Sequence, residues 1–160
     1  MTADIIRGVH YSERVLAHVK RAEQATQAAK EHVLRDYGIT PAQQSALAIL
    51  SDHDGITAAE LARQCAVTPQ TMTSTLGRLE KRGLIERTPH PMHGTLIEIR
   101  LTPHGKNLFD RADQQFGSLD DALAGALTAG ELATLKSLLA KVTQTASGIV
   151  SNAGKTTIGF

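Results

Sequence analysis

Gln70, Thr71, Thr73, Ser74, Arg78 and Lys81 form the densest run of side chains in this sequence that could do chemistry on a partner. An amide, three hydroxyls, a forked guanidinium and an ammonium make a hydrogen-bonding, positively charged set with little bulk. If the residues from Pro69 to the glycine at 83 are helical, ~100° per residue places Gln70, Ser74, Gly77 and Lys81 opposite Met72, with Thr73 and Arg78 flanking. Such a face suits close approach to DNA, because Gln can pair with adenine, Arg with guanine, and Ser and Thr are permissive. Lys81 is better suited to phosphate, where charge gives affinity without sequence. Taken alone, the stretch reads as an ordinary amphipathic helix with a solvated polar face. Its neighbours decide otherwise.

Thr68-Pro69 starts this helix, since the threonine hydroxyl accepts an orphan N–H and proline at the first position forfeits no needed donor. Val67 and Met72 are spaced as a hydrophobic staple, Met72, Leu76 and Leu79 form a core stripe, and Gly83 ends the helix after Lys81 and Arg82. Upstream, Thr40-Pro41 opens a helix through Leu50, His53-Asp54-Gly55 is a turn, and Thr57-Ala58-Ala59-Glu60 is a capping box introducing a short helix. Cys65-Ala66-Val67 is a tight connection, so the two helices make a helix-turn-helix pattern. Downstream, residues 84–87 and 96–101 read as strands, the second with Ile97, Ile99 and Leu101 on one face and Glu98 and Arg100 on the other. The intervening residues 88–95 hold two prolines and a glycine, which makes the pair a hairpin with a long tip, a wing.

Long helices flank this unit. Residues 4–37 contain no proline and one glycine, Gly8, where a break is expected, and Gly38 closes the helix. Thr102-Pro103 begins another to about residue 127, and Thr128-Ala129-Gly130-Glu131 caps a last one. The expected fold is mainly α with a small β-hairpin wing: a winged helix-turn-helix domain at 39–105, an N-terminal dimerisation segment at 1–38, C-terminal dimerisation helices at 106–150 and a flexible tail at 151–160. Leu16, Val19, Leu135 and Leu139 have no adequate burial in a small winged domain alone, which points to a homodimer.

Only 3% of residues are aromatic, so leucine and alanine do the packing, as a helical protein requires. Net charge is +1, but residues 57–106 hold seven Lys or Arg against four acids, a local +3 around the polar helix. A single cysteine, Cys65, excludes an intrachain disulfide and a multi-cysteine metal cluster. No apolar run reaches the ~20 residues of a membrane span and no secretory leader opens the chain, so a cytoplasmic location is expected. Gly-rich phosphate loop, nucleophile elbow and HExxH are all absent, against an enzyme. No metal site or cofactor is expected: Cys65 reads as a small buried hydrophobe, and His10, His18, His32 and His104 as scattered surface or capping groups.

The order of elements, with Leu79-Glu80-Lys81-Arg82-Gly83-Leu84-Ile85-Glu86-Arg87 and Leu101-Thr102-Pro103-His104-Gly105 at matching separation, resembles the MarR family (multiple antibiotic resistance regulators) of bacterial winged helix-turn-helix proteins over residues 11–150. The resemblance implies a homodimer whose terminal helices interlock, bound to a pseudo-palindromic DNA operator, repressing transcription until a small phenolic or other aromatic effector, or an oxidant, intervenes. It implies an effector pocket between the dimer helices and the DNA-binding lobe, for which Arg14, His18, His32 and Tyr37 are the candidates. Family wings usually carry Asp-x-Arg at the tip, where this chain has His93-Gly94-Thr95, and a recurrent recognition-helix arginine is matched by Ser74. Two cationic contacts per subunit are then missing, which lowers affinity or passes the task to Arg87, His90 and His93. The bare wing also keeps open a dimeric protein-interaction module with weak or lost DNA binding.

Histidine near its ordinary pKa of ~6.5 gains charge between pH 7.5 and 5.5, and nearby phosphate favours the charged form. If His90 and His93 touch DNA, operator affinity therefore rises as pH falls through that window. Affinities at both pH values, for wild type and the His90→Ala/His93→Ala variant, check this. Equal pH dependence in the two proteins places the histidines off the DNA.

Overall fold

The computed structural model describes residues 10–90, 92 and 94–153, and the chain divides into two compact units after Leu119. In the first, α1 spans Val15–Leu34 and is followed by a 3-10 turn, Arg35–Tyr37, which Gly38 closes at φ +63°. The long first helix begins later than its sequence suggests. His10 caps a separate 3-10 turn at Tyr11–Glu13 and Arg14 is extended, so residues 10–14 are not α-helical; Gly8 lies outside the described residues.

Each Thr-Pro start works through its hydroxyl. Thr40 accepts from the Gln43 amide while the Gln43 side chain accepts from the Thr40 amide, a closed capping box at the head of α2 (Pro41–Ser51). The box expected at Thr57 is only half formed. Thr57 Oγ1 accepts from the Glu60 amide and starts α3 (Ala58–Gln64), but the Glu60 carboxylate accepts from the side chains of Arg63 and Gln64 instead. Those bonds, Arg63's first, hold it below the usual carboxylate range. Ala66, at φ +53°, turns the chain into α4 (Pro69–Lys81), which Thr68 caps.

A third strand joins the hairpin. Ile56–Thr57 (β1), Ile85–Pro89 (β2) and Ile97–Leu101 (β3) form an antiparallel sheet of order β1-β3-β2, pairing Ile56 and Arg87 with Ile99, and Thr57 and Thr88 with Glu98. One sheet face joins Leu47, Leu50, Leu61, Met72, Leu76, Leu79 and Phe109 in a core that also takes Ile56, Ile85 and Ile99. The alternation expected of residues 96–101 fails at the tip end of the strand: Ile97 is 45% exposed and Glu98 only 8%. Strand β3 is central where β1 covers it, at Glu98 and Ile99, and nearer the tip it has β2 alone.

The start of α5 (Pro103–Gly125) is sewn to the end of α4. The Leu84 carbonyl accepts the Thr102 amide at 3.1 Å, and the Thr102 hydroxyl donates to the Gly83 carbonyl at 2.7 Å while accepting the Gly105 amide at 2.9 Å. In the second unit, α6 spans Ala129–Ala153 and begins at a reciprocal Thr128–Glu131 box, which lowers the Glu131 pKa through the Thr128 amide and then its hydroxyl. Helix thus includes residues 151–153 of the expected flexible tail; residues 154–160 lie outside the described part. No described helix is long and apolar enough to cross a membrane.

A Cβ placed on Gly105 would stand 1.8 Å from the Leu84 carbonyl oxygen, a backbone atom that cannot turn aside. Gly105→Ala should therefore destabilise the protein by about 3 kcal/mol, the upper end of what overpacking costs. Urea unfolding at fixed protein concentration, with the slope unchanged, measures it. A loss under half that size means the α4–α5 junction is loose.

Candidate nucleic-acid interface

The recognition candidates stand where helical geometry put them. Met72, Leu76 and Leu79 are buried, and this fixes the rotation of α4 about its axis. Gln70, Thr71, Thr73, Ser74, Arg78 and Lys81 are all exposed in consequence. Among the described residues, the side chains of Gln70, Ser74, Arg78 and Lys81 have no hydrogen-bond or ion-pair partner within the chain, so their donors and acceptors are open to another molecule. The two threonines differ. Thr73 Oγ1 donates to the Pro69 carbonyl at 2.9 Å, which leaves its oxygen as an acceptor only, fit for an amino group of adenine or cytosine. Thr71 Oγ1 lies 2.9 Å from the capping hydroxyl of Thr68 and is tied to the helix start.

Gln70, Thr71, Ser74 and Arg78 form one wall of an open groove of about 450 Å³, whose other wall is Thr40, Ala42 and Gln43 at the head of α2. Arg87 projects from β2 toward α4 and pairs with Glu80 at 3.0 Å. With both side chains exposed to water, that bridge is worth at most ~1 kcal/mol, and a phosphate could displace it. His90 is turned into the protein. Its Nδ1 accepts the Met92 amide at 3.1 Å, so in the neutral ring the proton sits on Nε2, which lies 3.5 Å from Glu98 Oε1. His93 lies outside the described residues.

The four effector-pocket candidates do not come together within one chain. His32 and Tyr37 border a cleft of about 420 Å³ with Arg35, Asp36 and Gln115, and the Arg111 guanidinium stands 5.8 Å from the Tyr37 ring centroid. Arg14 caps the far end of α1, and His18 contacts Arg21 at 3.4 Å. His32 lies fourteen positions after His18, about 21 Å along a helix. Cys65 is half-buried and burial pushes its thiol pKa up, which disfavours the reactive thiolate. No group of three potential metal ligands is gathered among the described residues.

Sequence reasoning missed Arg82. Its guanidinium donates to the carbonyls of Gly38 at 2.6 Å and Tyr37 at 3.1 Å, joining the end of α4 to the end of α1. Backbone carbonyls 44 and 45 residues away have no side-chain signature, so no pattern announces the contact.

A short helix, a tight turn, a second helix with an open polar face and a hairpin beside it define a winged helix-turn-helix protein. A family model described as the MarR family matches residues 37–94, the stretch from the end of α1 to the wing tip. The chain is 34% identical over 118 residues to the multiple antibiotic resistance protein MarR of Salmonella typhimurium, covering 71% of this chain and 82% of that one. It is 33% identical over 109 residues to the HTH-type transcriptional repressor Mb2911 of Mycobacterium bovis, covering 68% and 78%. Among solved structures, the transcriptional repressor CouR bound to a 23-mer DNA duplex superposes with a TM-score of 0.76 at 28% identity, over 82% of this chain and 94% of that one. The chain belongs to the MarR family, whose members are transcription regulators and not enzymes.

Arg78 is the exposed, unpaired cation of the recognition face that could make a forked contact with guanine. Arg78→Ala is expected to lower affinity for a specific DNA site by ~1–3 kcal/mol and relax specificity at one base pair. Titration of a matched site and a one-base variant checks it. A uniform loss with the salt slope reduced by ~1 would assign Arg78 to phosphate.

Proposed function

We propose that this protein is a cytoplasmic, sequence-specific transcriptional repressor that binds a pseudo-palindromic operator as a homodimer. The observation that carries the reading is the α4 face, where unpaired hydrogen-bonding groups stand outside a fully buried apolar stripe. In this reading Gln70, Thr73, Ser74 and Arg78 meet base edges in the major groove with Thr71 beside them at the helix start, and Lys81, Arg87 and His93 meet phosphate or the minor groove, while His90 faces Glu98. The CouR relative bound to duplex DNA supports it.

Dimerisation is supported by apolar side chains that a single chain leaves in water. Leu16 is 75% exposed on α1, and Leu138 and Leu139 are about half exposed along α6. Burying such positions against a second copy would recover the hydrophobic free energy that one copy forgoes. A small aromatic effector would act near the α1 end, where His32 and Tyr37 share a cleft.

Sedimentation at micromolar concentration should give a symmetric dimer, and the protein should retard a fragment of the promoter upstream of its own gene. A compact monomer sinks the dimer. A dimer that retards neither this promoter nor fragments selected from the source genome favours an interaction module that has lost DNA binding.

A further inference from the structure

We propose that Arg100 and Glu98 brace the wing for DNA contact, with Arg100 acting through the hairpin and not on DNA itself; this rests on the DNA-binding reading above. Glu98 occupies the central strand, in register with Thr57 of β1 on one side and Thr88 of β2 on the other. At 8% exposure its carboxylate is out of water and needs compensation. Arg100, two residues along and therefore on the same face, supplies it. Its Nη2 donates to Glu98 Oε2 at 2.6 Å, its Nε to Thr88 Oγ1 at 3.1 Å, and its Nη1 to Asp54 in the turn before β1. One planar fork thus ties β3 to β2 and to the α2–β1 turn.

Gly55 shows that the turn is built around this pair. It sits at φ +97°, and a Cβ there would stand 2.5 Å from Glu98 Oε2 and 2.6 Å from Arg100 Nη2. The contacts continue outward, since the second Glu98 oxygen faces His90 Nε2 and His90 Nδ1 holds the Met92 amide. A chain of side-chain contacts therefore runs from Asp54 to the wing tip. The Arg100–Glu98 pair carries most of the weight, because the Asp54 side chain is fully exposed and its ion pair is screened by water.

The tip needs such a brace. Beyond Glu98 the wing is a two-stranded ribbon with Met92, Leu96 and Ile97 exposed, and an isolated two-stranded hairpin is marginal in water. A ribbon free to swing must be ordered on binding, and that ordering subtracts from affinity.

Arg100→Lys keeps the charge but loses the fork, Arg100→Gln loses both, and Glu98→Gln removes a negative charge while keeping the shape. Amide hydrogen exchange of the free protein and operator affinity against salt are measured for each. The brace predicts that all three variants speed exchange of wing amides about tenfold relative to α4 amides, and that all three weaken operator binding about tenfold. Wild-type affinity in Arg100→Lys but not Arg100→Gln would make Arg100 a direct phosphate contact and overturn the proposal. So would tighter binding by Glu98→Gln, or wing exchange unchanged in every variant. The exchange arm does not depend on DNA, so failure of wild type to bind any operator defeats the DNA-binding reading while leaving the brace decided by exchange.

Discussion

The backbone of Leu84 is the constraint on which the DNA-binding unit turns. Its amide reaches back to the Leu79 carbonyl at 3.0 Å, while the Gly83 amide meets Glu80 at 2.8 Å with Gly83 at φ +66°. These are the two bonds of a Schellman motif, and they terminate the recognition helix. The carbonyl of the same residue accepts from Thr102 and rests against Gly105, so it also anchors the first turn of α5. The Leu84 side chain is fully buried, and no water is available to replace either bond. One residue therefore closes α4, launches β2 and seats α5. The point where the recognition helix ends and the direction of the wing follow from a single buried junction, which explains why residues 83–84 and 102–105 must be matched at a distance.

Arg82 adds a second junction at the same helix end. Its charge sits on the terminal carbonyls behind α1, where the helix dipole favours a cation, and it donates to them two bonds that solvent would otherwise supply. Tyr37 contributes one of these carbonyls, borders the cleft with His32, and carries Arg111 against its ring. The last turn of α4 and the 35–38 segment thus share polar contacts, and neither can move far without disturbing the other.

Much of this was legible in the chain because the informative signals are local. Thr-Pro pairs, a glycine at a helix end and apolar residues three and four apart act within one or two turns, so helix starts, the α4 stripe and the exposed recognition face all follow from spacing. What escaped was long-range. Strand β1 is two residues long and exists only because β3 offers it an edge. Glu98 alternates as a solvent-facing residue should, yet the 54–55 turn closes over it through a glycine whose purpose no local pattern reveals. The start of α1 failed for a different reason: residues 10–14 have nothing that forbids helix, but His10 found Ser12 and made a tighter turn. The separation of His18 from His32 along α1 was already implied by their spacing, and a site using both would need a second chain.

A wing tip without arginine or lysine changes how recognition is divided. In DNA binding by this family fold, phosphate contacts supply affinity common to every sequence, and base-edge contacts supply discrimination. Losing a cationic contact flattens the dependence of log affinity on log salt by ~0.9, and it does so for specific and random DNA alike. Thr95 at the tip, where the family resemblance would place an arginine, therefore lowers absolute affinity more than it lowers the ratio of specific to random binding. What the wing retains is shape, held by a part-buried ion pair, and shape helps only if the hairpin is already ordered when it meets the duplex. A protein with this wing relies on the rigidity of its scaffold and the unpaired groups of α4, and less on long-range charge.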